Sequence, residues 1–119
     1  MRTRLVTIVE TREFLRQAAS TFSPDELEAL KLYLAVNATA GAVIPGSGGI
    51  RKLRWGAGGK GKRGGARVIY YFHGEAMPLF LLTTYAKARR SDMSKAELSD
   101  FRRLVRALVG TYGKGARDD

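Results

Sequence analysis

The chain has no cysteine and only one histidine, His73. A disulfide framework, a thiolate zinc site and a cysteine nucleophile are therefore excluded, and a lone imidazole cannot supply a histidine pair for acid–base work. No apolar run approaches the ~18–20 residues that a membrane-spanning helix needs. Met1-Arg2-Thr3-Arg4 leads into a short apolar stretch that Glu10 interrupts, with no small-residue cleavage site after it, so this end is not read as a signal peptide. These features fit a reducing cytoplasm and give no reason to expect a membrane partner. The scarcest commodity is negative charge. No acid occurs between Glu28 and Glu75, so the usual metal cages lack ligands there, and neither a metal nor a cofactor is expected.

What fills the same interval is positive. Lys31, Arg51, Lys52, Arg54, Lys60, Lys62, Arg63 and Arg67 all lie in it, seven of the eight between Arg51 and Arg67. The whole chain carries 21 Lys plus Arg against 11 Asp plus Glu, a net charge of +10. A field this one-sided attracts polyanions, and a nucleic acid or an acidic protein is the expected partner. With 119 residues and an apolar fraction of 45%, the chain makes one folded domain with a single modest core.

Thr3 to Val9 reads as a strand and Glu10 to Ser20 as a short helix. Ser23-Pro24-Asp25-Glu26 is a helix start. Ser23 is the N-cap, Pro24 the first helical residue and Glu26 the other half of a capping box, with Phe22 and Leu27 as a hydrophobic staple; the helix runs to about Ala38. Gly41 to Gly65 contains ten glycines in twenty-five residues, yet Ile50 to Trp55 alternates as a strand inside it. Arg67 to Phe72 is a second strand. Pro78 to Lys87 is a third, apolar enough to be buried on both faces. The short connections predict antiparallel pairing among these three. Ser94 and Glu97 form another capping box, followed by a helical face of Leu98, Phe101, Val105, Leu108 and Tyr112. The expectation is α+β, with an antiparallel sheet and helices packed on it in the order β-α-α-β-β-β-α. The domain is read as residues 1–112 and the polar stretch 113–119 as a flexible tail.

Gly56 to Lys62 fits GxxxxGK, but Arg63 stands where magnesium ligation needs Ser or Thr. The segment also joins two strands, so it is not a P-loop. His73 is read as a turn residue at a strand end. Strand alternation puts Lys52 and Arg54 on one face, Arg67, Ile69 and Tyr71 on one face of the next strand, and Tyr85 and Lys87 together on the third. If these converge, they form a cationic bed beside an aromatic ring, suited to a phosphodiester with a stacked base. Crowding among the cations is one way to leave a lysine able to act as a base. The alternative is a plain phosphate-binding surface without catalysis.

Three segments then resemble the HigB branch of the RelE toxins: Gly48-Gly49-Ile50-Arg51-Lys52-Leu53-Arg54, Gly59-Lys60-Gly61-Lys62-Arg63-Gly64-Gly65-Ala66-Arg67-Val68-Ile69-Tyr70-Tyr71-Phe72, and Leu81-Leu82-Thr83-Thr84-Tyr85-Ala86-Lys87. The resemblance implies a RelE-like fold and a toxin paired with an antitoxin, here of a helix-turn-helix, HigA-like kind. It also implies ribosome-dependent, metal-independent cleavage of mRNA by attack of the ribose 2′-OH, inhibiting translation. It assigns Arg67 to the charged transition state, Lys52 and Arg54 to the paired basic positions (with Lys52 as the base) and Lys87 to a basic position after the last strand. Arg51, Lys60, Lys62, Arg63, Tyr85, Arg89 and Arg90 are the expected RNA-binding set. Some relatives have an arginine and a catalytic tyrosine where this chain has Ala88 and Ser94, leaving Arg89, Arg90 or Tyr85 as substitutes for the acid. Two other readings stand beside this one: a ParE-like toxin that poisons DNA gyrase, and a non-catalytic module that binds RNA or ribosomes.

Overall fold

In the computed structural model, residues 5–59 and 64–117 are described, with side chains through Tyr112. The elements are β1 (Ile8–Glu10), α1 (Arg12–Thr21), α2 (Pro24–Val36), β2 (Ala42–Val43), β3 (Ile50–Trp55), β4 (Ala66–Tyr71), β5 (Leu79–Ala86) and α3 (Lys95–Arg117). The α+β class and its RelE-like element order hold, with two additions to the topology. A two-residue strand, β2, lies inside the glycine-rich stretch and pairs antiparallel with β3. The sheet order is β1-β5-β4-β3-β2, and β1 joins it parallel to β5, so the sheet is mixed rather than wholly antiparallel.

Local chemistry explains the helix starts. Ser23 Oγ accepts the Glu26 amide while Glu26 Oε1 accepts the Ser23 amide, the reciprocal bonds of a capping box. Ser94 and Glu97 repeat the arrangement at α3. That helix continues to Arg117, past Tyr112, where its apolar stripe ends.

The two faces of the sheet are covered differently. On one, α1 and α2 bring Phe14, Ala18, Leu30 and Leu34 against Val68, Tyr70, Leu79 and Leu81. On the other, α3 brings Phe101, Val105 and Leu108 against Ile50, Ile69, Tyr71, Phe80 and Leu82. Every residue of β4 is buried, as is β5 from Leu79 to Tyr85. Their apolar stretches show no polar alternation because helices pack on both faces, α1 and α2 on one and α3 on the other over Ile69, Tyr71, Phe80 and Leu82.

The ladder between β4 and β5 is irregular. Its register runs Arg67↔Tyr85, Val68↔Thr84, Ile69↔Thr83 and then Tyr70↔Leu81, skipping Leu82. This bulge reverses the parity of β5. Leu79 and Leu81 face α1 and α2, yet Tyr85, of the same parity by count, belongs to the α3 side. Thr11, the N-cap of α1, pins the bulge. Its hydroxyl lies 2.9 Å from the carbonyl of Leu81 and 3.1 Å from that of Leu82, and it accepts the Phe14 amide. One threonine thus starts a helix and satisfies carbonyls at the disturbed stretch of the ladder.

Candidate nucleic-acid interface

The α3-side face of the sheet is apolar where the helix lies on it and cationic where it does not. Lys52 pairs across the strands with Ile69, and Arg54 pairs with Arg67, which pairs in turn with Tyr85. Directly opposed residues point to the same face, so Arg54, Arg67 and Tyr85 form one row across three strands. Like charges set directly opposite one another destabilise a sheet by roughly 0.2–1 kcal/mol. Arg54 and Arg67 thus set two like charges side by side on one face, an arrangement that attracts an anion.

This row opens into a cleft of about 470 Å³. Lys52, Arg54, Arg67 and Lys87 line it, with Ala42 to Pro45 on one side and Ser91 and Asp92 on the other. Arg67 is 7% exposed and donates to the carbonyl of Ala66, its position set by a fully buried strand. Arg54 is exposed. Lys87, just past β5, donates to the carbonyl of Ser91 at 3.3 Å. The four residues that the sequence reading placed in the chemical step are thus gathered in one cleft.

The RNA-binding set is dispersed. Arg51 lies on the opposite face of β3 and donates to the carbonyls of Gly41, at 2.7 Å, and Thr39, so it is built into the loop after α2. Tyr85 is 5% exposed, and the Arg90 guanidinium lies 4.8 Å from its ring centroid, leaving no open ring face for a base to stack on. Arg90 is itself held by two hydrogen bonds to Glu97, at 2.8 and 3.0 Å. That pairing raises the Arg90 pKa and holds the Glu97 carboxyl below its ordinary range. Arg89 lines a separate depression with Thr21, Gly58 and Gly64. Lys60, Lys62 and Arg63 lie outside the described residues. His73, beyond the end of β4, shares a 2.9 Å hydrogen bond with the Tyr71 hydroxyl and is not among the residues lining the cleft.

Asp92 is a site residue that the sequence does not disclose. It is the acid among the described lining residues, and its Oδ1 accepts three hydrogen bonds: from Lys52 Nζ at 3.1 Å, the Tyr85 hydroxyl at 3.3 Å and the Met93 amide at 2.8 Å. Burial pushes its carboxyl up, but the Met93 amide, Lys52 and Tyr85 outweigh this and hold it below the ordinary carboxylate range. The Tyr85 hydroxyl moves the other way, to about 12, through burial first and the Asp92 charge second. No motif marks Asp92. The turn that begins where Ala86 accepts the amides of Arg89 and Arg90 carries it back to β3 and β5.

Among the described residues no three His, Asp or Glu side chains gather as metal ligands, and no helix is long and apolar enough to cross a membrane. Compared with known families, residues 6–115 match the family model described as the RelE toxin of the RelE/RelB toxin–antitoxin system.

Proposed function

This chain belongs to the RelE toxin family and is the toxin of a toxin–antitoxin pair with a cognate antitoxin, and from that premise we propose that it is a cytoplasmic, ribosome-dependent endoribonuclease that cleaves mRNA and so stops translation. The observation that carries the reading is the convergence of Lys52, Arg54, Arg67 and Lys87 on one cleft. Such a cleft is suited to a phosphodiester and to the further negative charge that develops on it during displacement.

The reaction uses the RNA's own nucleophile. The ribose 2′-oxygen attacks the adjacent phosphorus and loses its proton. The bond from phosphorus to the 5′-oxygen breaks, and that oxygen takes up a proton. The products are a 2′,3′-cyclic phosphate and a 5′-hydroxyl end. Arg67, buried and held by β4, is suited to stay in place as charge builds on phosphate. Arg54 and Lys87 bind the same group from either side. Lys52, an amine of the lining, is the candidate to receive the 2′-OH proton. An ammonium has no acceptor, so it serves as a base only after leaving its ion pair with Asp92 and shedding a proton. Tyr85, whose hydroxyl donates to Asp92 of the lining, is the neighbouring hydroxyl donor; Ser94 is committed to capping α3. With this sparse acid–base set, alignment of the RNA carries much of the rate, and a ribosome supplies it by holding mRNA in line for attack. The antitoxin we expect is HigA-like, with an acidic or amphipathic segment that covers the cationic face.

The test is purified protein on programmed ribosomes beside free RNA, with chemical mapping of the new ends. Cyclic or 3′-phosphate ends upstream and 5′-hydroxyl ends downstream, on ribosome-bound message only, are expected. Gyrase poisoning, 5′-phosphate ends, or binding without scission would each replace this reading.

A further inference from the structure

Asp92 looks out of place in a cleft built to hold an anion. Its side chain is 59% exposed, its charge opposes any phosphate, and one of its oxygens engages three separate donors. Two of those donors are Lys52 on β3, which lines the cleft, and Tyr85 on β5, buried beside Arg67 in the same row; the third, the Met93 amide, lies immediately before the cap of α3. A carboxylate that accepts from an ammonium, a hydroxyl and an amide is chemically a small stand-in for a phosphate oxygen. It is also carried on a turn rather than on the sheet. Residues 88 to 92 run between the end of β5 and the start of α3 and are exposed. Arg90 of that turn is held by Glu97, so release of Lys52 and Tyr85 needs only rotation of the exposed Asp92 side chain.

We propose that Asp92 is the cleft's built-in counter-ion, a displaceable carboxylate that holds Lys52 and the Tyr85 hydroxyl until an RNA phosphate takes its place. While the ion pair holds it neutralises Lys52, so small anions meet three lining cations, Arg54, Arg67 and Lys87, in place of four. A phosphodiester that already engages Arg54 and Arg67 competes for Lys52 at close range and displaces Asp92. The same movement releases the Tyr85 hydroxyl, which becomes free to donate to an RNA oxygen. Capture of the phosphate and exposure of a proton donor thus become one event. The inference rests on the nuclease reading in one respect only, the identity of the incoming anion as an RNA phosphate.

Asp92→Asn keeps the size of the side chain and an oxygen for the Met93 amide but removes the charge. Binding is measured by fluorescence anisotropy with a short single-stranded 2′-O-methyl oligonucleotide, which cannot be cleaved by its own 2′-oxygen. In Asp92→Asn the affinity should rise about two- to fivefold, the range of an exposed ion pair. The slope of log K against log salt should steepen by about 0.7, because one more lysine sheds its counterion to RNA instead of its carboxylate. Both changes should vanish in a Lys52→Gln background. Loss of a nearby negative charge strengthens anion binding even if Asp92 merely braces the turn, so the disappearance of both changes with Lys52→Gln is the discriminating result. Unchanged or weaker binding by a folded Asp92→Asn, an unchanged slope, or no binding by either protein would overturn the proposal. A wild-type measurement covers the case of a variant that does not fold. The Asp92 carboxyl carbon, followed by nuclear magnetic resonance, should titrate below the ordinary Asp range in the free protein and higher once the oligonucleotide is bound; no movement also overturns it. A nuclease-negative wild type whose Asp92→Asn variant still binds tighter and steeper would keep the counter-ion role and discard the nuclease reading. A wild type that cleaves, with Asp92→Asn binding unchanged, does the reverse.

Discussion

The sheet's α3-side face has two halves that share strands and differ in chemistry. Toward Ile50, Tyr71 and Phe80 it is apolar and sealed by α3. Toward Arg54, Arg67 and Lys87 it is cationic and open. β3 and β4 cross from one half to the other within six residues each, so backbone conformation does not separate them. What separates them is cover. Arg54 and Lys87 keep their charged heads exposed to water there, whereas Ile69 and Tyr71 gain from being covered. The stability of the closed half holds the opposed charges of the open half in register.

The comparison breaks most sharply at Arg67. Replacing Arg67 with Ala should lower single-turnover cleavage about 10²–10³-fold, the usual loss for one preorganised contact to a developing charge. Circular dichroism should still report a folded chain. Arg67→Lys should recover only part of the rate, because a point charge does not reproduce the two-pronged grip of a guanidinium. Full activity in a folded Arg67→Ala protein would remove the row from the mechanism.

A smaller effect tests the bulge that joins the halves. Thr11→Val keeps the shape of the side chain but loses the cap of α1 and the hydrogen bonds to Leu81 and Leu82. A loss of about 1 kcal/mol in denaturant unfolding is expected. The cleavage rate should also fall, since Tyr85 owes its side of the sheet to the skipped residue. A variant destabilised by that amount with an unaltered rate would show that the bulge does not depend on Thr11.

Arg54 sharpens the comparison in the opposite direction. Arg54→Thr puts a good strand former in an exposed position and removes a cation set against Arg67. Thermal unfolding should show a gain of roughly 0.2–1 kcal/mol, accompanied by weaker RNA binding. Lower stability in this variant would mean that the paired guanidinium groups cost the fold nothing.

The smallest expected effect is that of pH on Asp92. Its folded pKa is lowered, so its contribution to stability is fully present above the unfolded Asp value of about 3.9 and is lost as pH falls through the lower folded value. Asp92→Asn should therefore lose less stability than the wild-type chain between about pH 5 and pH 3. Parallel melting curves for the two proteins over that range would show that the contacts of Asp92 do not favour its charged form.

Much of this architecture is legible in the chain, for a consistent reason. Both capping boxes depend on residues three apart, and β3, β4 and β5 depend on apolar content within a few neighbours. The one-signed charge between Glu28 and Glu75 is likewise visible without a fold. β2 escapes notice because two exposed residues carry no period, and the parallel place of β1 depends on an edge of β5 far along the chain. Among the site residues, alternation sorts Lys52 and Arg54 from Leu53 and Trp55. Charge alone puts Arg51 with the RNA-binding set, and charge does not register that Arg51 points to the far face as a loop anchor.

The sequence by itself determined that the chain is α+β, that its helices start at Ser23 and Ser94, and that it presents a concentrated positive charge to an anion. Those are local free energies, settled by neighbours in the chain. Only the tertiary structure decided that Arg54 would stand against Arg67, that a single skipped residue at Leu82 would turn Tyr85 toward them, and that Asp92 would return to neutralise Lys52. Strand register is a long-range choice in which a slip of one residue exchanges the two faces of a sheet. No local pattern encodes that choice; the packing of α1 and α2 on one side and α3 on the other decides it.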